Sequence, residues 1–157
     1  MTVKNLVIGA LVVVAISLGV HSGLQLRADH REKEGRAAVL EAATAEVTGL
    51  ISVSRKTTAT EIDRLKAGAT AEFASELAEQ SVALRRALQA QKVTSTGTVA
   101  SAGVVAWAPT RARVLVAAVG EVGNRQSTAT TPRAYRLRVD LRHVKGRWLV
   151  SDMEFVA

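Results

Sequence analysis

From Lys4 to Arg27 the chain runs 22 residues without a charge, "NLVIGALVVVAISLGVHSGLQL", and the solid apolar part extends from Leu6 to Val20. A spanning helix needs roughly 20 mostly apolar residues, so the length suffices if Asn5 and the residues from His21 to Leu26 reach into the two interfaces. The side chains that would hold the span are Leu6, Val7, Ile8, Leu11, Val12, Val13, Val14, Ile16, Leu18 and Val20. A secretory signal is the alternative, with a short basic start, an apolar run and a cleavage-like Val20-His21-Ser22 triplet. The reading taken is an uncleaved anchor over residues 1–26, with a cytoplasmic N-terminus and the rest of the chain extracytoplasmic. Charges flank both ends of the run, but long C-terminal domains translocate largely regardless of flanking charge.

The pattern then changes to helical spacing. From Arg27 to about Ser52 there is no proline, and Leu40, Ala43, Val47 and Leu50 recur at intervals of three and four, marking one apolar face. The first turns, "RADHREKEGR", are polar all round and predict a solvated stalk. In "TTATEIDRLKAGATAEFASELAEQSVALRRALQAQKV" the stripe is Ile62, Leu65, Ala69, Phe73 and Leu77, extended by Leu84 and Leu88. Thr60 stands in position to cap it, with Asp63 three residues on. Gly68 is expected to divide the run into a short and a long helix. The stripe as a whole is expected to pack on a sheet.

After Lys92 the period becomes two. "VTSTGTVASAGVVAW" predicts a first strand with a bulge at its glycines, Ala108-Pro109-Thr110 a turn, and "RARVLVAAVGEV" a second strand. "GNRQSTATTP" is expected to be a polar loop. In "AYRLRVDLRHV", Tyr135, Leu137, Val139 and Leu141 alternate with Arg136, Arg138, Asp140 and Arg142, the signature of a strand with one buried face. Lys145-Gly146 is a two-residue hairpin signal. In the last strand Trp148 and Val150 share one parity while Met153 and Phe155 share the other, which predicts an irregularity near Ser151 or Asp152. Helices first and an antiparallel four-strand meander after define an α+β domain with the helices on one face. The organisation expected is an anchor over 1–26, a stalk and first helix over 27–56, and a helix plus sheet over 57–157 that residues 37–56 complete.

Composition sharpens this picture in two respects. With no cysteine, disulfides, thiol catalysis and Cys-ligated zinc are excluded. The net charge is +7, and the surplus lies in the C-terminal third, where nine basic residues meet only Glu121, Asp140, Asp152 and Glu154. Arg111 and Arg113 share one face of the second strand, and Arg136, Arg138 and Arg142 share one face of the third. These five are the candidate contact face. Arginine suits planar contacts with carboxylates or phosphates.

Other chemistry is hard to assemble. His21, His30 and His143 stand far apart without metal-ligand spacing, so no metal site is expected. The hydroxyls of "SVS" around Val53 and "GNRQS" around Asn124 lack a flanking base. Single-strand nucleic-acid sheets put aromatics on the same face as the cations, whereas Tyr135 has the opposite parity to Arg136 and Arg138, so no nucleic-acid partner is expected. A ketosteroid-isomerase arrangement would need a carboxylate and a tyrosine converging inside the fold. Tyr135 lies on the apolar parity and Asp140 on the arginine parity; only Asp152 or Glu154 could turn inward at the irregular last strand.

Three segments carry a resemblance. "TEIDRLKAGATAEF", "KVTSTGTVASAGV" and "PRAYRLRVDLRHVKGRWLVSDMEFV" resemble the corresponding parts of Mce-associated membrane proteins, with an Ala-Thr-x-x-Phe helix segment, a Ser-Thr-Gly strand start and a C-terminal Glu154 to Val156. The similarity covers roughly Ala37 to Val156. It implies a cone-shaped fold similar to nuclear transport factor 2 and cystatins, with helices packed into a curved four-stranded antiparallel sheet. It further implies a non-enzymatic subunit without a cofactor, held in the inner membrane by one span, whose partners are Mce-type lipid transporter subunits. A module of the same fold binding a lipid or small molecule, and an inner-membrane subunit of a type IV secretion-like channel, are the alternatives.

Overall fold

The computed structural model describes residues 30–52, 56, 59–124 and 127–156. The expected anchor, Leu6 to Val20, lies outside the described residues, and among those described no helix is long and apolar enough to cross a membrane. The chain divides into two compact units, Met1–Gly35 and Arg36–Ala157. In the first, the described residues 30–35 are helical, and His30 Nε2 lies 3.1 Å from Glu34 Oε1 one turn on.

Helix α1 covers residues 30–51, of which 36–51 belong to the second unit. Helices α2 (Ala59–Ala67) and α3 (Ala71–Ala90) follow, then strands β1 (Thr94–Ala108), β2 (Arg111–Asn124), β3 (Ser127–Val144) and β4 (Arg147–Phe155). The four strands form one antiparallel sheet in the order β1-β2-β3-β4, so the α+β meander read from the sequence is the observed architecture.

The core lies between α1 and one face of the sheet. Val39, Ala43, Val47 and Ile51 are buried against Ala112, Val114, Val116 and Ala118 of β2, Leu137, Val139 and Leu141 of β3, and Val150 of β4. The expected stripe was Leu40, Ala43, Val47 and Leu50. Leu40 and Leu50 are only half-buried, so the seam follows a strict four-residue repeat instead. A sheet is wide enough to take two neighbouring rows of a helix, and the sequence period alone does not say which row sits at the centre.

The second stripe behaves differently from the expectation. Ile62 and Ala69 are buried and Phe73 packs on the core, yet no residue of α3 is fully buried and Leu84 stays 42% exposed. The division at Gly68 is as expected, but Thr60 is not the cap, because α2 already begins at Ala59. The capping residue is Thr70, whose hydroxyl accepts from the Phe73 amide at the start of α3. The intervening turn is fastened to the sheet: Thr70 N–H donates to Val150 O at 2.8 Å and Val150 N–H to Gly68 O at 2.9 Å. At its far end α3 closes with Lys92 in the left-handed region (φ 51), Val93 N–H donating to Leu88 O and Lys92 N–H to Gln89 O.

Three strand details differ from or sharpen the expectation. The register shifts in β1 leave Ala100 and Val105 as the extra residues, not its glycines. Gly97 is instead needed for packing, since a Cβ there would lie 2.6 Å from Ile51 Cγ1. The polar stretch after Asn124 is mostly strand: β3 begins at Ser127. Beyond Leu137 no β4 residue pairs with it, so Pro132 sits where β3 is a sheet edge and a missing N–H is tolerated. The irregularity in β4 falls at Ser151, between the pairs Asp140↔Asp152 and Leu141↔Val150. One extra residue puts Val150 and Met153 opposite Leu141 and Val139, both on the core side, which reconciles their opposite parities. Lys145 (φ 49) and Gly146 (φ 81) form the expected hairpin turn.

Candidate interaction surface

All five candidate arginines lie on the sheet face opposite α1. The β2–β3 register places Arg111 opposite Arg142, Arg113 opposite Asp140, Leu115 opposite Arg138 and Ala117 opposite Arg136. The bulge at Ser151 turns Asp152 and Glu154 toward this same face, opposite Asp140 and Arg138. Neither acid therefore points into the core, and the inner residues of β2, β3 and β4 that meet α1 are apolar.

The five arginines are not equivalent. Arg113 donates to both oxygens of Asp140, at 2.7 and 3.1 Å, and this pairing holds the Arg113 guanidinium protonated more firmly than usual, through the hydrogen bond first and the charge second. Arg138 lies 2.9 Å from Glu154 and 3.5 Å from both Asp152 and Asp140. Its buried Nε has that charge contact with Asp140 but no hydrogen bond. Two arginines thus engage three carboxylates, while Arg111, Arg136 and Arg142 form no ion pair among the described residues. Cross-strand cations directly opposite each other, as Arg111 and Arg142 are, repel. They border a groove of about 620 Å³ that also includes Trp107, Arg113, Asp140 and Asp152.

Three further features escaped the sequence reading. An antiparallel meander brings its first and third turns to the same end, so Lys145 and Arg147 join Arg111 and Arg142 there. Trp107 and Trp148 stack at the same end with ring centroids 5.3 Å apart, and His143 packs on Trp148 at 4.9 Å. The meander pattern already implied this juxtaposition. Glu46 carried no such signal. It lines a cleft of about 630 Å³ between α1 and α2, and burial raises its pKa to about 7 despite the opposing pull of Arg64. At the other end of the sheet, Leu50, Ile51, Leu84, Leu88, Tyr135 and Phe155 line a small apolar recess of about 270 Å³.

The family described as "Uncharacterized protein Rv1363c/MT1408-like" matches residues 3–157. A Mycobacterium tuberculosis protein, "Uncharacterized protein Rv1363c", is 29% identical over 126 residues, covering 80% of this chain and 48% of the relative. The chain therefore spans about half the length of the curated relative it matches. Among solved structures, an IcmL-like type IV secretion system protein from Legionella pneumophila superposes with a TM-score of 0.62 at 12% identity, covering 77% of this chain and 91% of that one. The periplasmic domain of DotI gives 0.61 at 13%, covering 76% and 94%. A ketosteroid isomerase-like protein from Erwinia carotovora atroseptica gives 0.56 at 20%, covering 79% and 98%. These likenesses identify the fold as one similar to nuclear transport factor 2.

Proposed function

The chain belongs to the Rv1363c/MT1408-like family, and from that premise we propose that it is a non-enzymatic accessory subunit of an Mce-type envelope lipid transport system. In this reading it is held in the inner membrane by the apolar run of Leu6 to Val20, and its folded domain lies on the extracytoplasmic side. The observation that carries the non-enzymatic part is the filled interior. The inner faces of β2, β3 and β4 are packed against Val39, Ala43, Val47 and Ile51 with apolar side chains, and every carboxylate of β3 and β4 faces outward. The working surface is then the outer one, where Arg113 and Arg138 are held in the ion-pair network and Arg111, Arg136 and Arg142 are left for a partner subunit.

The transport assignment is supported by the three sequence segments from Thr60 to Val156 that resemble Mce-associated proteins. A second reading is favoured by the shared fold with an IcmL-like type IV secretion protein and with the periplasmic domain of DotI: an inner-membrane subunit of a secretion-like channel. Both place the same domain outside the cytoplasm. Crosslinking in native membranes followed by mass spectrometry separates them. Recovery of Mce-type transporter subunits is the expected result, recovery of secretion-channel components would establish the second reading, and recovery of neither would overturn both.

A further inference from the structure

The end of the sheet that bears the β1–β2 and β3–β4 turns combines three properties. It is cationic: Arg111 and Arg142 face one another across β2 and β3, and Lys145 and Arg147 sit at the next turn. The acids of the adjoining groove, Asp140 and Asp152, are engaged by Arg113 and Arg138, so Arg111 and Arg142 have no ion pair among the described residues. Arg142 also acts on Glu72 of α3, which is fully exposed. The end is also apolar in part: Val105, extruded by its bulge, is 55% exposed and Val144 38% exposed. Lastly, it holds Trp107 and Trp148, each half-buried on the core side.

Cations, exposed valines and half-buried tryptophans in one place are the composition of a surface that meets lipid headgroups. Tryptophan favours the membrane–water boundary, and a basic patch near an anionic leaflet gains from each positive charge. The position of Arg36 agrees. The second unit begins at Arg36, whose guanidinium lies 5.9 Å from the centre of the Trp107 ring, so the first residue of this unit lies at this same end. We infer that the two-hairpin end docks on anionic phospholipid headgroups, with Arg111, Arg142 and Lys145 contacting phosphate and Trp107 and Trp148 at the boundary. The inference rests on the membrane-anchored reading above. Docking also relieves the opposed Arg111–Arg142 pair, which phosphates can neutralise from outside.

Trp107 and Trp148 are the only tryptophans, so tryptophan fluorescence, excited beyond the absorption of Tyr135, reports on this end alone. The full chain is reconstituted in nanodiscs of phosphatidylcholine, or phosphatidylcholine with phosphatidylglycerol, containing a headgroup-nitroxide lipid as quencher. Strong quenching is expected with phosphatidylglycerol and weak quenching without it. The triple variant R111Q/R142Q/K145Q should lower the ratio of docked to undocked protein about fivefold per charge, or about a hundredfold. It leaves Arg113–Asp140 and Arg147 in place, and circular dichroism checks its fold. The charge-matched control R86Q/K92Q/R133Q, at the opposite end of the domain, should quench like the unaltered chain. Quenching independent of lipid charge, or lowered equally by both variants, would overturn the inference. Carbonate extraction distinguishes failure of the anchor. If the chain is released, flotation with vesicles of the same two compositions decides the surface: binding to phosphatidylglycerol that the triple variant loses upholds it, and no binding overturns it.

Discussion

Arg113 and Asp140 stand directly opposite one another on β2 and β3, and the guanidinium grips the carboxylate with two hydrogen bonds, Nε to Oδ1 at 2.7 Å and Nη2 to Oδ2 at 3.1 Å. That grip fixes Asp140 beside Arg138, which also meets Asp152 and Glu154. The sheet face that reads as a row of arginines is therefore half an ion-pair network and half a set of uncommitted cations.

The two halves should respond differently to neutralisation. Arg138→Gln leaves three carboxylates clustered without their shared cation and should cost about 1–2 kcal/mol in urea denaturation. Arg136→Gln, on the same strand and face, should change stability by less than about 0.5 kcal/mol. Equal effects would mean the network contributes nothing to the fold. Co-purification with transporter subunits should in turn be weakened by Arg136→Gln if that half of the face meets a protein.

Glu46 makes stability depend on pH. Its folded-state pKa is raised by burial to about 7, above the ordinary 4.5, so the folded chain holds this proton more tightly than the unfolded chain. Stability from this group is full below about 4.5, falls as pH rises to about 7 and is level above that. Glu46→Gln should flatten that window in thermal melts. Gly68→Ala should do the same, because a Cβ at Gly68 would occupy the space of the Glu46 carboxylate and push it toward water. A slope that persists in Glu46→Gln would assign the dependence to another group.

The helices contribute unequally to the core. Val47 is fully buried, so Val47→Ala should cost about 2 kcal/mol, whereas Leu84→Ala on half-exposed α3 should cost less than about 1 kcal/mol. Native-state amide exchange provides an independent check. Val114, Val116, Leu137 and Val139 should be among the slowest amides, and α3 should exchange well before α1.

Trp148 packs between Trp107 and His143. Trp148→Ala should cost about 3 kcal/mol, the lower end for a large aromatic because the side chain is only half-buried. Trp148→Phe should recover most of that loss, which distinguishes packing from any role of the indole N–H. A loss below about 1 kcal/mol would place Trp148 outside the core.

The sequence by itself determined the order of elements and the faces of the strands. Alternation has a period of two, so once Leu137, Val139 and Leu141 are inward, Arg136, Arg138 and Arg142 must be outward. The same rule exposed the conflict between Val150 and Met153, which only an extra residue near Ser151 could resolve. The break at Gly68 and the Lys145-Gly146 turn were legible too, because they depend on local backbone preferences.

Quantities set by distant contacts were decided by the tertiary structure. The choice of Val39 and Ile51 over Leu40 and Leu50 follows from where β2 lies under α1, and the bulges at Ala100 and Val105 from matching β1 to β2. The pairing of Arg113 and Arg138 with Asp140, Asp152 and Glu154 depends on cross-strand register, which a count of charges does not contain. Glu46 shows this most plainly. On one helix it is an ordinary glutamate three residues from Ala43; its raised pKa exists because α2 and the Cβ-free Gly68 close over it, removing water from a charge that nothing in the local sequence marks.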